Sequence, residues 1–301
     1  MQTRYEQIVN PADIGKPVRT SLNELAGLAR REHLSPSSED KEKILLLAID
    51  VQNDFMEGGP LGVPGSLGDV GNLTRFIYEN MGKITKIMVS LDTHQPMQIF
   101  HPAWWKDPEG NPPQPFTLIR SRDVEEGKWI PQLLPEESLE YVTRLEKLGK
   151  KELCIWPYHC IEGTFGCALE GQFANMVYFH SLVRQTEVKR LVKGLHPDTE
   201  MYGIFRPEYS RENLRNEKLL EEISTYDRIL VAGEAKSHCV LESVSQLLEY
   251  FREKGIPGRK LTILEDCMSP IGGYEDVTEE AFRRFVEKDG IQVVRSSEIL
   301  I

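Results

Sequence analysis

The residues of this chain that could do chemistry fall into a few short segments. "VAGEAKSHCVLESV" (231–244) passes from an apolar run through a bend into a helical pattern, with Cys239 at the bend. A thiol in the first turn of a helix faces oriented N–H groups and the positive end of the helix dipole, which lowers its pKa and favours the nucleophilic thiolate. In "AIDVQNDF" Asp50 closes an apolar run, where a carboxylate can accept a proton or cap a turn. "SLDTH" sets Asp92 and His94 two residues apart, a spacing that points both the same way on an extended chain. His101 follows, and "IWPYHC" adds His159. Mixed aspartate and histidine donors suit zinc, iron or manganese. Lys193 closes the apolar stretch of "LVKGLHPDTEMYGIF", just before a glycine. Taken singly, each has an ordinary explanation. Free cysteines are commonly buried as small hydrophobes, strand-end aspartates cap turns, a core histidine can bond to backbone, and a lysine before a turn is usually solvated.

The elements that must position these groups are visible as apolar periodicity. "KILLLAID" (43–50), "KIMVSLD" (86–92), "RILVAG" (228–233), "LTILED" (261–266) and "IQVVR" (291–295) read as buried strands, being short and rich in Leu or β-branched residues. Between them lie the helical patterns "LTRFIYENMGKI", "CVLESVSQLLEYFREKG" and "VTEEAFRRFVEKDG", the last two closed by glycine. The alternation predicts an α/β fold, a mostly parallel doubly wound sheet with helices on both faces. Ligands of such sheets collect at the carboxyl ends of the strands, and Asp50, Asp92 and the bend before Cys239 all fall there. Two regions depart from the alternation. Residues 1–42 are polar and weakly periodic, an N-terminal extension that wraps the domain or a partner subunit. The domain proper then spans 43–301, with a long insertion at about 102–150. Its tryptophans demand burial while prolines in "HPAWWKDPEGNPPQPF" deny regular structure, so an ordered excursion over the site is expected.

Composition narrows the class. The chain has 301 residues, 40% hydrophobic and 28% charged, with a net charge of −11. That length suits one large domain or two modest ones. The acidic balance, with no concentration of Lys and Arg, argues against a nucleic-acid partner. No apolar run reaches the length of a membrane helix, and the N-terminus lacks the apolar core of a secretory signal. Five dispersed cysteines without a CxxC pair suit reduced thiols, hence a cytoplasmic location.

The order of the motifs resembles a known family. "LLLAIDVQNDFMEGGPLGV", "VKGLHPDTEMYGIF" and "VAGEAKSHCVLESV" resemble the opening, lysine and nucleophile motifs of the isochorismatase-like cysteine hydrolases. "SLDTH" and "WPYHCIEGTFGCAL" resemble the metal-binding motifs of the nicotinamidase branch, and the likeness spans roughly residues 43–295. The resemblance implies a catalytic triad of Asp50, Lys193 and Cys239, and an oxyanion hole from the N–H groups of Ala235 and Cys239. It implies a non-proline cis peptide at Ala235–Lys236. It implies one divalent metal ion (zinc, iron or manganese) on Asp92, His94 and His159, with His101 matching a histidine that is sometimes a further ligand. Phe55, Trp156, Tyr202 and Phe205 would wall the substrate ring. The implied activity is hydrolysis of a small carboxamide, nicotinamide to nicotinate and ammonia, through a thioester, by a homo-oligomer. Two other readings stay open: a cysteine amidase of the same fold acting on another carboxamide, ureido or carbamoyl compound, and a catalytically silent binding or scaffold protein. The chain departs from the branch pattern in "DTHQPMQIFHP", where threonine stands for tryptophan and His101 lies further from His94. It departs again before the nucleophile, where the family commonly has Thr-Asp and this chain has Lys236 and Ser237, with Glu234 nearby. A charged pair there would either read a larger or more polar substrate or form a salt bridge facing away.

Overall fold

The structure, a computed structural model, describes residues 1–149, 152–299 and 301. Its strands are β1 (Ile44–Ile49), β2 (Lys86–Asp92), β3 (Trp105–Lys106), β4 (Leu118–Ile119), β5 (Ile130–Pro131), β6 (Leu153–Cys154), β7 (Lys189–Lys193), β8 (Arg228–Gly233), β9 (Leu261–Leu264) and β10 (Gln292–Val294). Its helices are α1 (Leu22–Ala29), α2 (Ser66–Glu79), α3 (Ser121–Glu125), α4 (Pro135–Leu148), α5 (Gly171–Arg184), α6 (Glu217–Ser224), α7 (Leu241–Lys254) and α8 (Glu275–Asp289). Six strands form one parallel sheet in the order β10-β9-β8-β1-β2-β7. This is the doubly wound α/β architecture expected from the alternation of elements.

β1 shows why the sheet is covered on both faces. Every residue of "ILLLAI" is buried, and strand alternation divides them between two cores. Ile44, Leu46 and Ala48 join side chains of α2 and α5, including Leu73, Phe76, Phe173 and Met176. Leu45, Leu47 and Ile49 join α6, α7 and α8 through Leu220, Leu247, Phe251 and Phe282. The N-terminal residues lie on the first of these layers. Tyr5, Ile8, Val9 and Leu25 are buried in it, the Tyr5 hydroxyl bonds Thr74 Oγ1 at 2.8 Å, and the Gly15 N–H donates to Glu170 Oε1 at 2.9 Å.

Between β2 and α5 the chain builds a third core of its own, in which Trp104 and Trp105 are fully buried with Phe100, Ile119, Tyr141, Leu145 and Trp156. The indole N–H groups are satisfied locally, Trp104 on Ser138 Oγ at 3.0 Å and Trp105 on the Ile99 carbonyl at 2.6 Å. The prolines leave room only for two-residue strands, with β3 pairing β5 and β4 pairing β6, and α4 supplies the regular face against which the tryptophans pack.

Candidate active site

Strand register brings the reactive groups together. Ile49 pairs with Gly233 across β1 and β8, and Asp92 pairs with Lys193 across β2 and β7. Asp50, the bend before Cys239, Asp92 and Lys193 therefore emerge from four adjacent strands at one edge. Gly233 is needed for this closeness: it has φ of +119° and a Cβ there would lie 2.0 Å from the Ile49 carbonyl oxygen.

Asp50 sits one residue past β1 with φ of +48°, in the left-handed region that aspartate tolerates better than most residues. Its carboxylate accepts the Ser90 hydroxyl at 2.6 Å and faces Lys193 Nζ at 2.9 Å. Lys193 Nζ also reaches Asp92 Oδ1 at 3.0 Å, donates to the Met201 carbonyl at 3.0 Å, and lies 3.7 Å from Cys239 Sγ. All four side chains are buried. Burial raises the Asp50 carboxyl above the usual range, against the pull of Lys193. Burial works to lower the Lys193 ammonium, but Asp50 and Asp92 outweigh it and hold the group well above its ordinary value. The thiol departs from the sequence expectation. Cys239 stands in a π-helical turn, Lys236–Val240, ahead of α7, and burial drives its pKa well up, with Lys193 opposing and Asp50 adding to the rise. Desolvation beats the helix dipole here because the sulfur is enclosed and two carboxylates face it.

Beside this trio, Asp92, His94 and His159 each offer a ligand atom, all within 4.8 Å of one another. His94 Nε2 is 2.9 Å and His159 Nε2 3.8 Å from Asp92 Oδ2. The opposite ring nitrogens lie against backbone carbonyls, His94 Nδ1 at 3.3 Å from Gly194 and His159 Nδ1 at 2.8 Å from Pro157. With each Nδ1 donating to its carbonyl, the Nε2 lone pairs point with Asp92 Oδ2 at one place, the arrangement in which imidazole and carboxylate ligate a metal. His101 is buried with Nδ1 at 3.0 Å from the Gln95 carbonyl, its ring centroid 5.8 Å from those of His94 and His159, and its Nε2 without a hydrogen-bond partner. Burial, with His159 and His94 adding, lowers it to about 3. An orphaned neutral imidazole nitrogen beside an Asp/His/His set fits a divalent cation held by nitrogen and oxygen donors.

These groups floor a pocket of about 440 Å³ lined by Phe55, Phe100, Trp156, Tyr202, Ala235 and Cys239 among others. Phe55, Trp156 and Tyr202 line this pocket. Phe205 does not: it is buried in the α6–α7 core behind the wall, because Gln246 Oε1 on α7 accepts its N–H at 3.3 Å and draws that turn inward. The cis bond is Glu234–Ala235, one residue earlier than expected, since Ala235 is already the extended residue that enters the π-turn. Glu234 and Lys236 form neither a substrate-reading pair nor a bridge to each other. Lys236 turns to Glu279 on α8, and Glu234 is buried on the far side of the bend.

Several residues of the site went unremarked in the sequence. Gln52 ties two strand ends together, accepting the Asp92 N–H at 2.8 Å and donating to the Asp92 carbonyl at 2.8 Å. Ser90 orients Asp50. Both stand two positions from an aspartate already singled out, so strand periodicity carried the signal. Gly194 has φ of +79°, and a Cβ on it would lie 2.5 Å from His94 Cε1 and 2.8 Å from Asp92 Oδ1. Glu200 anchors two walls of the pocket, accepting from the Trp156 indole at 2.9 Å and the Tyr202 hydroxyl at 2.6 Å.

No family profile matches the chain. A nicotinamidase of Saccharomyces cerevisiae is 24% identical over 233 residues, 77% of this chain and 90% of that protein. Among solved structures, the yeast nicotinamidase bound to the inhibitor nicotinaldehyde superposes with a TM-score of 0.59 at 20% identity, covering 84% of this chain and 99% of that one. An Acinetobacter baumanii nicotinamidase/pyrazinamidase gives 0.59 at 19% identity, covering 87% and 100%. The chain thus has the isochorismatase-like hydrolase fold, and the proteins it is similar to are of that superfamily's nicotinamidase branch.

Proposed function

We propose that this chain is a nicotinamidase-like cysteine amidohydrolase, releasing ammonia from a small aromatic carboxamide, nicotinamide first among the candidates. The observation that carries the reading is Lys193 Nζ lying 2.9 Å from Asp50 Oδ2 and 3.7 Å from Cys239 Sγ at the foot of an apolar pocket. Relatives named as nicotinamidases support the substrate class.

In the resting site burial and the neighbouring carboxylates keep the thiol protonated. Attack therefore needs the proton to pass to Asp50, whose carboxyl burial raises above its ordinary range. Sulfur bonds to the amide carbon as the carbonyl electron pair moves to oxygen. The Ala235 N–H, which has no hydrogen-bond acceptor among the described residues, and the Cys239 N–H are the donors for that oxygen. Removing one such donor typically costs about 3–4 kcal/mol. When the tetrahedral species collapses, Asp50 returns its proton to the amide nitrogen, and ammonia leaves. Water then adds to the thioester with Asp50 again taking a proton, and cleavage of the C–S bond yields the carboxylic acid and the thiol. Lys193 stays charged throughout, holding Asp50 in line and compensating its charge.

Asp92, His94 and His159 would hold one divalent cation of the zinc, iron or manganese class, with His101 Nε2 as a further donor. When bound, that cation supplies a Lewis-acid position for a ring nitrogen or a water beside the thiol. Phe55, Trp156 and Tyr202 exclude water and orient the ring. The chain is expected to act as a homo-oligomer in the cytoplasm, and light scattering reports the assembly.

A panel of carboxamides with nicotinaldehyde as inhibitor tests the reading. The aldehyde should trap Cys239 as a thiohemiacetal, the thiol proton moving to the former carbonyl oxygen, and compete with nicotinamide. Turnover of ureido or carbamoyl compounds in preference to aromatic carboxamides would reassign the substrate. Turnover by Cys239→Ala, or an aldehyde adduct that still forms on that variant, would reject the nucleophile.

A further inference from the structure

Behind the bend that carries Ala235 lie two carboxyl groups for which the proposed reaction has no use. Glu234 connects the last residue of β8 to Ala235, and its N–H donates to the Ile49 carbonyl at 2.8 Å. Its side chain turns away from the pocket and is 1% exposed. There it faces the carboxyl of Asp69, which projects from the first turn of α2 and is 8% exposed, and Asp69 Oδ2 and Glu234 Oε1 are both buried without a hydrogen-bond donor.

Ser269, in the segment after β9, touches every part of this cluster. Its N–H donates to Glu234 Oε2 at 3.3 Å, its side chain bonds Asp69, and its carbonyl accepts the Lys236 N–H at 2.8 Å. Both neighbours of Ala235 are thus tied to one point. Gly65 permits the approach of α2, since a Cβ there would lie 2.6 Å from Ser269 Oγ.

The surrounding charge does not relieve the pair. Asp266 and Glu57 face Asp69 and add negative charge. Arg295 is 4.0 Å from Asp266 Oδ2, and Lys236 is turned to Glu279 with its ammonium 5.4 Å from the Phe282 ring centroid. Among the described residues, no Lys or Arg pairs with Asp69 or Glu234. If both were ionised, Asp69 Oδ2 and Glu234 Oε1 would be buried without a donor, and the structure gives neither a partner outside the pair. Two buried carboxylates in contact cannot both keep their charge, and one proton held between them answers both vacancies. Burial accordingly raises Asp69 to about 6 and Glu234 well above its ordinary value.

We propose that Glu234 and Asp69 share one proton, and that this bond, anchored on Ser269, positions the Ala235 N–H for the substrate oxygen. Glu234 is then a positioning residue acting through Ala235. The kinetic arm of its test rests on the amidase reading, while the other two arms need no substrate.

Infrared difference spectra of the full chain at pH 7 should contain a protonated-carboxyl band that Glu234→Gln removes. The amide signal of Ala235 in protein labelled with 15N-alanine should move in Glu234→Ala and stay near its parent position in Glu234→Gln, whose amide still donates to Asp69. With nicotinamide, Glu234→Ala should lower kcat by about tenfold or more with little change in KM, the mark of a transition-state donor, and Glu234→Gln should stay within about threefold of the parent. A carboxyl band unchanged by Glu234→Gln, or an Ala235 signal indifferent to Glu234→Ala, overturns the proposal. So does a Glu234→Gln variant as impaired as Glu234→Ala. Failure of the parent to release ammonia would count against the amidase reading alone, since the spectroscopic arms would still decide the proton and the bend.

Discussion

Asp50 has two effects on Cys239 that a single substitution can separate. As the proposed base it would receive the thiol proton; as a buried carboxylate beside the sulfur it makes that proton harder to lose. Asp50→Asn should therefore reduce amide turnover by about 10²–10⁴-fold, the usual contribution of a positioned acid–base group. Alkylation of Cys239 by iodoacetamide at fixed pH should not slow. Parallel loss of both would mean that Asp50 serves to build the site and carries no proton. Gly194→Ala is the matching test of the cation set. The new Cβ meets His94 and Asp92 at a backbone angle that only glycine adopts freely, so metal affinity measured by titration should fall at least about tenfold. Affinity equal to the parent would exclude a metal at those side chains.

At the scale of elements, what could be read from the sequence followed burial pattern. β1, β2, β8 and β9 were legible because most residues of each are buried and the runs are mainly apolar, whereas β10, read as a buried strand, is an edge strand with Gln292 exposed. β7 was not legible. "KRLVK" is the other edge strand of the sheet, with Arg190 and Val192 exposed, so its composition resembles a charged loop and only the apolar stretch before Lys193 drew notice. α5 escaped for the opposite reason: "GQFANMVYFHSLVR" is buried over much of its circumference, which erases the periodic stripe that marks a surface helix. His180 in that helix makes a testable contribution. It bonds the Ile84 carbonyl at 2.9 Å, and burial lowers its pKa to about 4. Its folded pKa lies below the unfolded value near 6.5, so the stabilising contribution is complete above about pH 6.5 and is lost as pH falls towards 4. That loss amounts to about 3 kcal/mol. Urea unfolding at pH 7 and pH 4.5 should show a smaller pH difference in His180→Gln than in the parent; an identical difference would remove His180 as its source.

The whole molecule joins a sheet that sets distances to a separate tryptophan-rich core whose Phe100 and Trp156 line the pocket. The segments around Asp50 and Cys239 were legible because each follows a readable strand, whereas that around Lys193 stood out only by its place in the motif order. The position of the cis bond and the burial of Phe205 depended on how α7 and the π-turn pack, which no local pattern encodes. The insertion shares Trp156 with the pocket wall, so loosening its core should reach the site without dissolving the sheet. Trp104→Ala should cost about 3–5 kcal/mol within that core, seen as proteolysis inside residues 102–149 before the sheet unfolds. Cleavage only upon global unfolding would show that the insertion and sheet fold as one unit. The claim on which the rest depends is that Cys239 attacks a carboxamide. Ammonia release from nicotinamide by the metal-replete protein, measured beside Cys239→Ala, tests it most directly. The parent should release ammonia steadily and the variant none; release by both, or by neither, would overturn Cys239 as the nucleophile.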